Sequence, residues 1–324
     1  LLQPCAALAA EAAGAPLLSN IAPATAAARC ATLQANGFVS GGNTALQASS
    51  ALNLLQSMGY QPESNLLHAS MYALATPAIV MTYANAYGRF SVADNLCGFS
   101  FSGTGDQLPT SFGRGNGIPP MVGINIFNNN SVGGAVPDSV SISPSSGVMD
   151  YNFDGALCQR KLAVVLTENA LRVQNGMGEV TRSANLHGKP ALIVHGRADT
   201  LIPVAFSSRP YFGVNRMVEG VESKLSYIEV TNAQHFDSFL PIAGFDARFV
   251  PLHHYFNQAM DLMYAHLKAG AALPVSQLVR TTPRGVDAAG KANPISLGNL
   301  PPIKMTVAEA DAITFSRNVV RIPD

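Results

Sequence analysis

Two short apolar runs, Ala191-Leu-Ile-Val194 and Leu225-Ser-Tyr-Ile-Glu-Val230, limit what this chain can fold into more than any other feature. A continuous apolar run of this length is expected of a strand covered on both faces, as in a parallel sheet. Between the two, Gly196 lets the chain turn sharply, Pro203 suits the first turn of a helix, and a helical piece over residues 210–219 stops at Gly220. Beyond the second run, Phe256, Met260, Met263 and Leu267 recur at helical spacing within residues 249–267. Strand, helix, strand, helix predicts a parallel sheet, and ligands bind at the loops on the carboxyl ends of such strands.

Each run delivers one polar residue just past its end, Asp199 after the first and His235 after the second. Taken singly, Asp199 has a plain reading as a helix cap and His235 as a satisfied loop histidine. Taken together, acid before base after successive strands is the arrangement expected at the C-terminal end of an α/β-hydrolase domain. There a carboxylate orients an imidazole that serves as general base. Asp199 and His235 are therefore the candidate catalytic residues. His195 is expected to support the strand-to-turn geometry, and His253 and His254 to begin a helix as packing or surface residues. Asp237 and Asp246 are fallback acids only.

A nucleophile is harder to find. An elbow needs an apolar strand, then Gly-x-Ser-x-Gly or a near variant, then a helix. Ser40 in Gly37-Phe-Val-Ser-Gly-Gly42, and Ser100 and Ser102 in Gly98-Phe-Ser-Phe-Ser-Gly103, lack that context. In chain order the serine precedes the acid, so it is expected upstream of Leu1, in a longer precursor within which this chain begins.

The segment before the two strands differs in character. Residues 1–89 are rich in Ala, Leu, Met and Asn, with helical spacing in Leu46, Leu52, Leu54, Leu55 and Met58 and a further helical stretch from Glu63 to Leu74. His68 and Ser70 fall in that stretch without a partner motif and read as core or surface residues. Residues 90–154 turn to Gly, Ser, Asn and Pro and predict loops and short extended pieces. Gly113, Gly115 and Gly117 follow no convincing strand and open no helix, so a phosphate cradle is not expected. Tyr83, Tyr87, Phe90, Phe99, Phe101 and Phe112 read as packing or as the lining of a substrate groove. A helix is predicted over residues 156–174, closed by Gly176 and Gly178.

The expected fold class is therefore α/β, with an α/β-hydrolase-like parallel sheet in the C-terminal portion and a helix-rich cap or insertion before it. Residues 1–155 would form the cap, 156–270 the core and 271–324 an extended tail with a helix near 307–313.

With 20 Lys and Arg against 20 Asp and Glu there is no basic footprint for nucleic acid or an anionic membrane. No apolar run reaches the length of a bilayer span. The Ala-rich start lacks a basic n-region and carries Glu11, so it is not read as a signal peptide. Cys5, Cys30, Cys97 and Cys158 show no zinc or redox spacing, and no metal is expected. Their even number suits an exported protein with two disulfides, pairing of sequence neighbours being the expected one of three connectivities; four buried thiols in a cytosolic protein is the other reading.

Four stretches carry a resemblance: His195-Gly-Arg-Ala-Asp-Thr-Leu-Ile-Pro203 continuing to Tyr211, Asn232-Ala-Gln-His-Phe-Asp-Ser238, Pro251-Leu-His-His-Tyr-Phe-Asn257, and Leu278-Val-Arg-Thr-Thr-Pro-Arg-Gly285. With these the chain resembles the C-terminal part of the D-(-)-3-hydroxybutyrate oligomer hydrolase family, whose members are about twice this length and secreted. The resemblance implies a serine-type hydrolase of short 3-hydroxybutyrate oligomers, with Asp199 and His235 as acid and base. It further implies the N-terminal half of the same precursor as partner, and no cofactor. Arg197 or Arg209 would receive the terminal carboxylate or else be solvated. A secreted esterase of the tannase or feruloyl esterase type, and a non-catalytic polymer-binding fragment, are the alternatives.

Overall fold

The computed structural model describes residues 1–12, 23–69, 82–91, 94–103, 124–128, 153–242 and 244–324, and the chain divides into two units, residues 1–55 with 65–181 and residues 56–64 with 182–324. Ser70, Phe112 and the glycines at 113, 115 and 117 lie outside the described residues.

Short helices build the first unit: α1 (Gln3–Ala6), α2 (Pro23–Ala35), α3 (Thr44–Ser57) and α4 (residues 82–88). Ala6, Ala26, Ala48 and Ala51 are buried beside Leu33, Leu52 and Leu55, so much of this core is small side chains that each remove little apolar area from water. The stretch from Glu63 to Leu74, predicted helical, begins as a 3-10 segment, Pro62–Leu67. Strand β1 (Phe99–Gly103) pairs antiparallel with β2 (Ile124–Asn128), which puts Ser100 and Ser102 inside a strand. Disulfides join Cys5 to Cys30 and Cys97 to Cys158, the neighbour pairing expected. They tie α1 to α2, and the turn Leu96–Gly98 to helix α5 (Phe153–Val164).

The single helix predicted over 156–174 is two helices, α5 and α6 (Glu168–Glu179). Thr167 explains the break, because its hydroxyl accepts from the Ala170 amide at 3.3 Å and caps a new helix. Gly176 and Gly178 do not end α6 but lie within it. A Cβ at Gly176 would stand 1.8 Å from the Tyr87 carbonyl oxygen of α4, so this glycine serves close packing rather than termination.

The second unit is built on a parallel three-stranded sheet, β3 (Ala191–Gly196), β4 (Leu225–Val230) and β5 (Gln277–Val279), in the order β3-β4-β5. Helix α7 (Ser208–Glu219) connects β3 to β4, and α8 (Leu252–Ala269) connects β4 to β5. Side chains alternate along the strands between two cores. Leu192, Val194, Ile228 and Val230 pack with Val250, Tyr255 and Ala259 on the α8 side. Ala191, Ile193, Leu225 and Tyr227 pack with Phe212 of α7 and with Phe315 and Val320, which belong to the hairpin β6 (Thr314–Ser316) and β7 (Val319–Arg321).

Full coverage holds for β4, buried at every position, but not for β3, which is half-buried over its first five residues. The physical reason is position: in this sheet β4 lies between two strands while β3 lies at the edge. The segment expected as an extended tail takes part in the sheet. It supplies β5 and the β6–β7 hairpin, and the helix predicted near 307–313 is only a 3-10 turn, Glu309–Asp311. Three-residue strands are too short to leave a periodic signal. No helix among the described residues is long and apolar enough to cross a membrane.

Candidate active site

The carboxyl ends of β3 and β4 are locked together by their loops. In the register of the pair, Gly196 faces Val230, and the amides of Arg197 and Ala198 donate to the carbonyls of Val230 and Ala233 at 2.8 and 2.9 Å. A Cβ on Gly196 would meet the Ala233 carbonyl oxygen at 2.5 Å, so glycine at this position is what lets the two loops approach.

That approach brings Asp199 and His235 together. The Nδ1 of His235 lies 2.7 Å from Oδ2 of Asp199. The other carboxylate oxygen accepts from the amides of Leu201 and Ile202, both at 2.8 Å, so Asp199 closes its own turn as well. One oxygen of Asp199 thus closes its own turn and the other meets the imidazole, but Asp199 does not cap the following helix, whose first turn, Val204–Phe206, has no side-chain cap. Burial by itself raises the Asp199 carboxyl, but the hydrogen bonds with His195 and His235, the charge of His235 and the Ile202 amide outweigh it and hold the group at about 2. Asp199 is 4% exposed, and the His235 side chain 28%. Burial, and secondarily the Asp199 charge, push the Tyr60 hydroxyl up to about 12.

The His235 ring packs edge-on to Phe236 at 4.5 Å, and Phe236 begins a ladder through Phe239, Phe245 and Phe249. Gln234, 1% exposed, holds this loop by exchanging hydrogen bonds with the Phe236 backbone. With Nδ1 bonded to the carboxylate, Nε2 is the ring nitrogen left to move a proton.

The other sequence candidates have structural occupations. Asp237 accepts from the amides of Leu252 and His253 at 2.9 and 2.7 Å and caps α8, and Asp246 accepts from the amides of Gly244 and Ala247. His254 bonds Gln258 one turn along the same helix. Ser40 is hydrogen-bonded to Ser50, its amide donating at 3.1 Å and the two hydroxyls standing 3.5 Å apart. Among the described residues no hydroxyl is hydrogen-bonded to His235.

Arg197 and Arg209 are not the solvated cations that were expected. Arg209 forks onto Glu229 with contacts of 2.6 and 2.9 Å, and Arg197 stands 3.4 Å from Glu229, 3.7 Å from Glu63 and 3.3 Å from the Gln61 side-chain oxygen. Glu229 is 0% exposed, and its burial makes these partners obligatory. Glu63 in turn accepts from the Asn232 amide at 2.7 Å, three residues before His235. Burial raises the Glu63 carboxyl, against the opposing pull of that amide and of Arg197. Sequence reasoning missed this network, although one signal was present: a glutamate interrupting the buried apolar run Leu225–Val230.

A cavity of about 1090 Å³ opens at the opposite end of the sheet, beside Leu225, Ser226 and Ser276. It lies away from the Asp199–His235 pair, which occupies the end where parallel sheets bind ligands.

The sequence matches the family described as 3HB-oligomer hydrolase (3HBOH) over residues 1–324. It is 59% identical to the D-(-)-3-hydroxybutyrate oligomer hydrolase of Polaromonas naphthalenivorans (strain CJ2) and 57% identical to that of Albidiferax ferrireducens (strain ATCC BAA-621 / DSM 15236 / T118). It is 51% identical to that of Azoarcus sp. (strain BH72). In each case all of this chain is covered and 48% of the relative, so the chain spans about half the length of the curated relatives it matches. No solved structure matches.

Proposed function

The chain belongs to the 3HB-oligomer hydrolase family, and from that premise we propose that it is the acid–base part of a secreted serine-type esterase that cleaves short D-3-hydroxybutyrate oligomers to monomers. The observation that carries this reading is the 2.7 Å contact between His235 Nδ1 and Asp199 at the carboxyl ends of adjacent parallel strands. In the same reading the sheet is the C-terminal part of an α/β-hydrolase, and the serine comes from a preceding segment of the same protein. The relatives' greater length supports that last step.

The serine hydroxyl attacks the ester carbonyl while His235 Nε2 takes its proton. Asp199 holds Nδ1–H, which fixes the productive tautomer and offsets the charge that the imidazole gains. His235 then gives the proton to the departing secondary alkoxide, and in the second half it deprotonates the water that attacks the acyl-enzyme. A carboxyl held at about 2 stays ionised throughout, which suits Asp199 to orienting rather than to donating protons. The phenylalanines beside His235 offer an apolar surface to methyl-bearing oligomers. No step calls on a metal or an organic cofactor.

Activity of the 324-residue chain, alone and together with the remainder of the protein, tests the reading with hydroxybutyrate trimers as substrate. The chain alone is expected to be inactive, and the assembly active. In the assembly His235→Ala lowers turnover by on the order of 10⁴-fold with an unchanged thermal transition. Full activity of the chain alone, or near-normal rates in the variant, would sink it.

A further inference from the structure

Asp199 Oδ2 faces two imidazoles: His235 Nδ1 at 2.7 Å and His195 Nε2 at 3.3 Å. A neutral imidazole has one N–H, so the position of the His195 proton decides whether the second contact attracts or repels. The far side of the His195 ring fixes that position. Its Nδ1 lies 2.7 Å from the Ser208 hydroxyl oxygen, Ser208 lies 2.9 Å from the Tyr227 hydroxyl, and Tyr227 lies 2.7 Å from Oε2 of Glu229.

Each of these bonds runs one way. Glu229, gripped by Arg209 and Arg197, is a carboxylate and can only accept. Tyr227 therefore donates its single proton to Glu229. The Ser208 hydroxyl, facing a phenol oxygen with no proton to spare, donates to Tyr227. What remains to Ser208 toward His195 is a lone pair, so His195 Nδ1 must carry a proton. If Nε2 were bare, its lone pair would point at a carboxylate; with a second proton it makes a charged hydrogen bond.

We propose that His195 is a positioning residue held as an imidazolium, a second donor on the carboxylate oxygen that orients His235, its charge state set by the bonds running through Ser208 and Tyr227 to Glu229. His195 meets Asp199 beyond β3 and Ser208 of α7, and shares a cavity with Arg182 and Tyr211; Tyr227, Glu229, Arg209 and Arg197 follow along the bonds from Ser208, and His235 and Tyr60 stand around Asp199. The protonation assignment stands on these hydrogen bonds alone; the positioning role rests on the reading of Asp199 and His235 as the acid–base pair. As pH rises, loss of the second His195 proton turns attraction into repulsion at Asp199 and loosens its hold on His235, which places an alkaline limb on turnover.

Ring ¹H–¹⁵N correlations of the labelled 324-residue chain test the assignment near neutral pH. Both His195 nitrogens are expected to be protonated, and the Nε2 proton to leave first on raising pH. Tyr227→Phe frees the Ser208 hydroxyl to donate to Nδ1, so His195 switches to the neutral Nε2–H form. Ser208→Ala, which also removes the acceptor at Nδ1, gives the same switch should the first variant not fold. A neutral Nε2–H His195 in the unaltered chain, or no switch in either variant, overturns the assignment. In the complete enzyme His195→Phe is expected to lower turnover by roughly tenfold to a hundredfold. His195→Gln, whose amide still donates to Asp199, restores most of the rate without the alkaline limb. Equal rates in His195→Phe and unaltered enzyme overturn the positioning role. An inactive enzyme with the imidazolium signature intact instead counts against the functional reading, which keeps the two failures apart.

Discussion

All four cysteines lie in the first unit, paired, and no carboxylate is buried among its described residues; the second unit has no cysteine and buries Asp199 and Glu229. Their cores differ in the same sense. Alanines predominate in the first, whereas Phe212, Tyr227, Ile228, Phe245 and Tyr255 fill the second, each buried to within 1%. A helix that buries alanine gains little from leaving water, and a covalent link that restricts the unfolded chain compensates for a small core. A parallel sheet covered on both faces gains enough from its core to carry a desolvated charge network at the strand ends. The difference teaches that the two units guard their folds by different physics and should fail under different insults.

Reduction of both disulfides is the largest such insult. The chain-entropy argument assigns about 3.5 kcal/mol to the bridge with sequence separation 25 and about 4 kcal/mol to that with separation 61. Hydrogen exchange should quicken throughout α1, α2 and α5 while β3 and β4 keep their protection. Equal loss in both units breaks the comparison.

Glu229→Ala is the converse experiment. It leaves Arg197 and Arg209 buried without their shared partner and should cost the second unit on the order of 3 kcal/mol, read from the denaturation midpoint. A change within the noise would mean that the network is incidental to stability.

Acid separates the units more gently. Burial lowers His68 of the first unit from 6.5 to about 4. Between those values the unfolded state binds a proton that the folded state refuses, so stability is complete above 6.5 and falls by up to roughly 3 kcal/mol as pH drops toward 4. Asp199 of the second unit is depressed from 3.8 to about 2, so its contribution of roughly 2 kcal/mol is intact above 3.8 and disappears only as pH falls through that lower window. Unit-resolved exchange across the acid range should show the first unit loosening before the second; the reverse order refutes the assignment.

Much of the second unit was legible in the chain. Both strands, the helices between and after them, and the two polar residues at their ends follow from apolar runs and from Gly196 and Pro203, which are local signals. The division of α5 from α6 was not, because a mid-segment Thr167 cap competes with an unbroken helical period and only packing decides between them. The fate of Arg197 and Arg209 was misread for a related reason. An arginine is solvated by default, and only a partner buried on another strand overturns that.

What the amino-acid sequence determined alone is the order of elements and the delivery of an acid and a base by successive strands, since hydrophobic period and turn chemistry act between near neighbours. The tertiary structure decided everything that needs distant partners: that Asp199 meets His235 at 2.7 Å, that β5 joins the sheet beside β4, and that Glu229 gathers two arginines, a tyrosine and, through Ser208, a histidine. The physical reason is that a hydrogen bond's direction and a charge's desolvation are properties of a pair of groups, and the chain brings those pairs together only on folding.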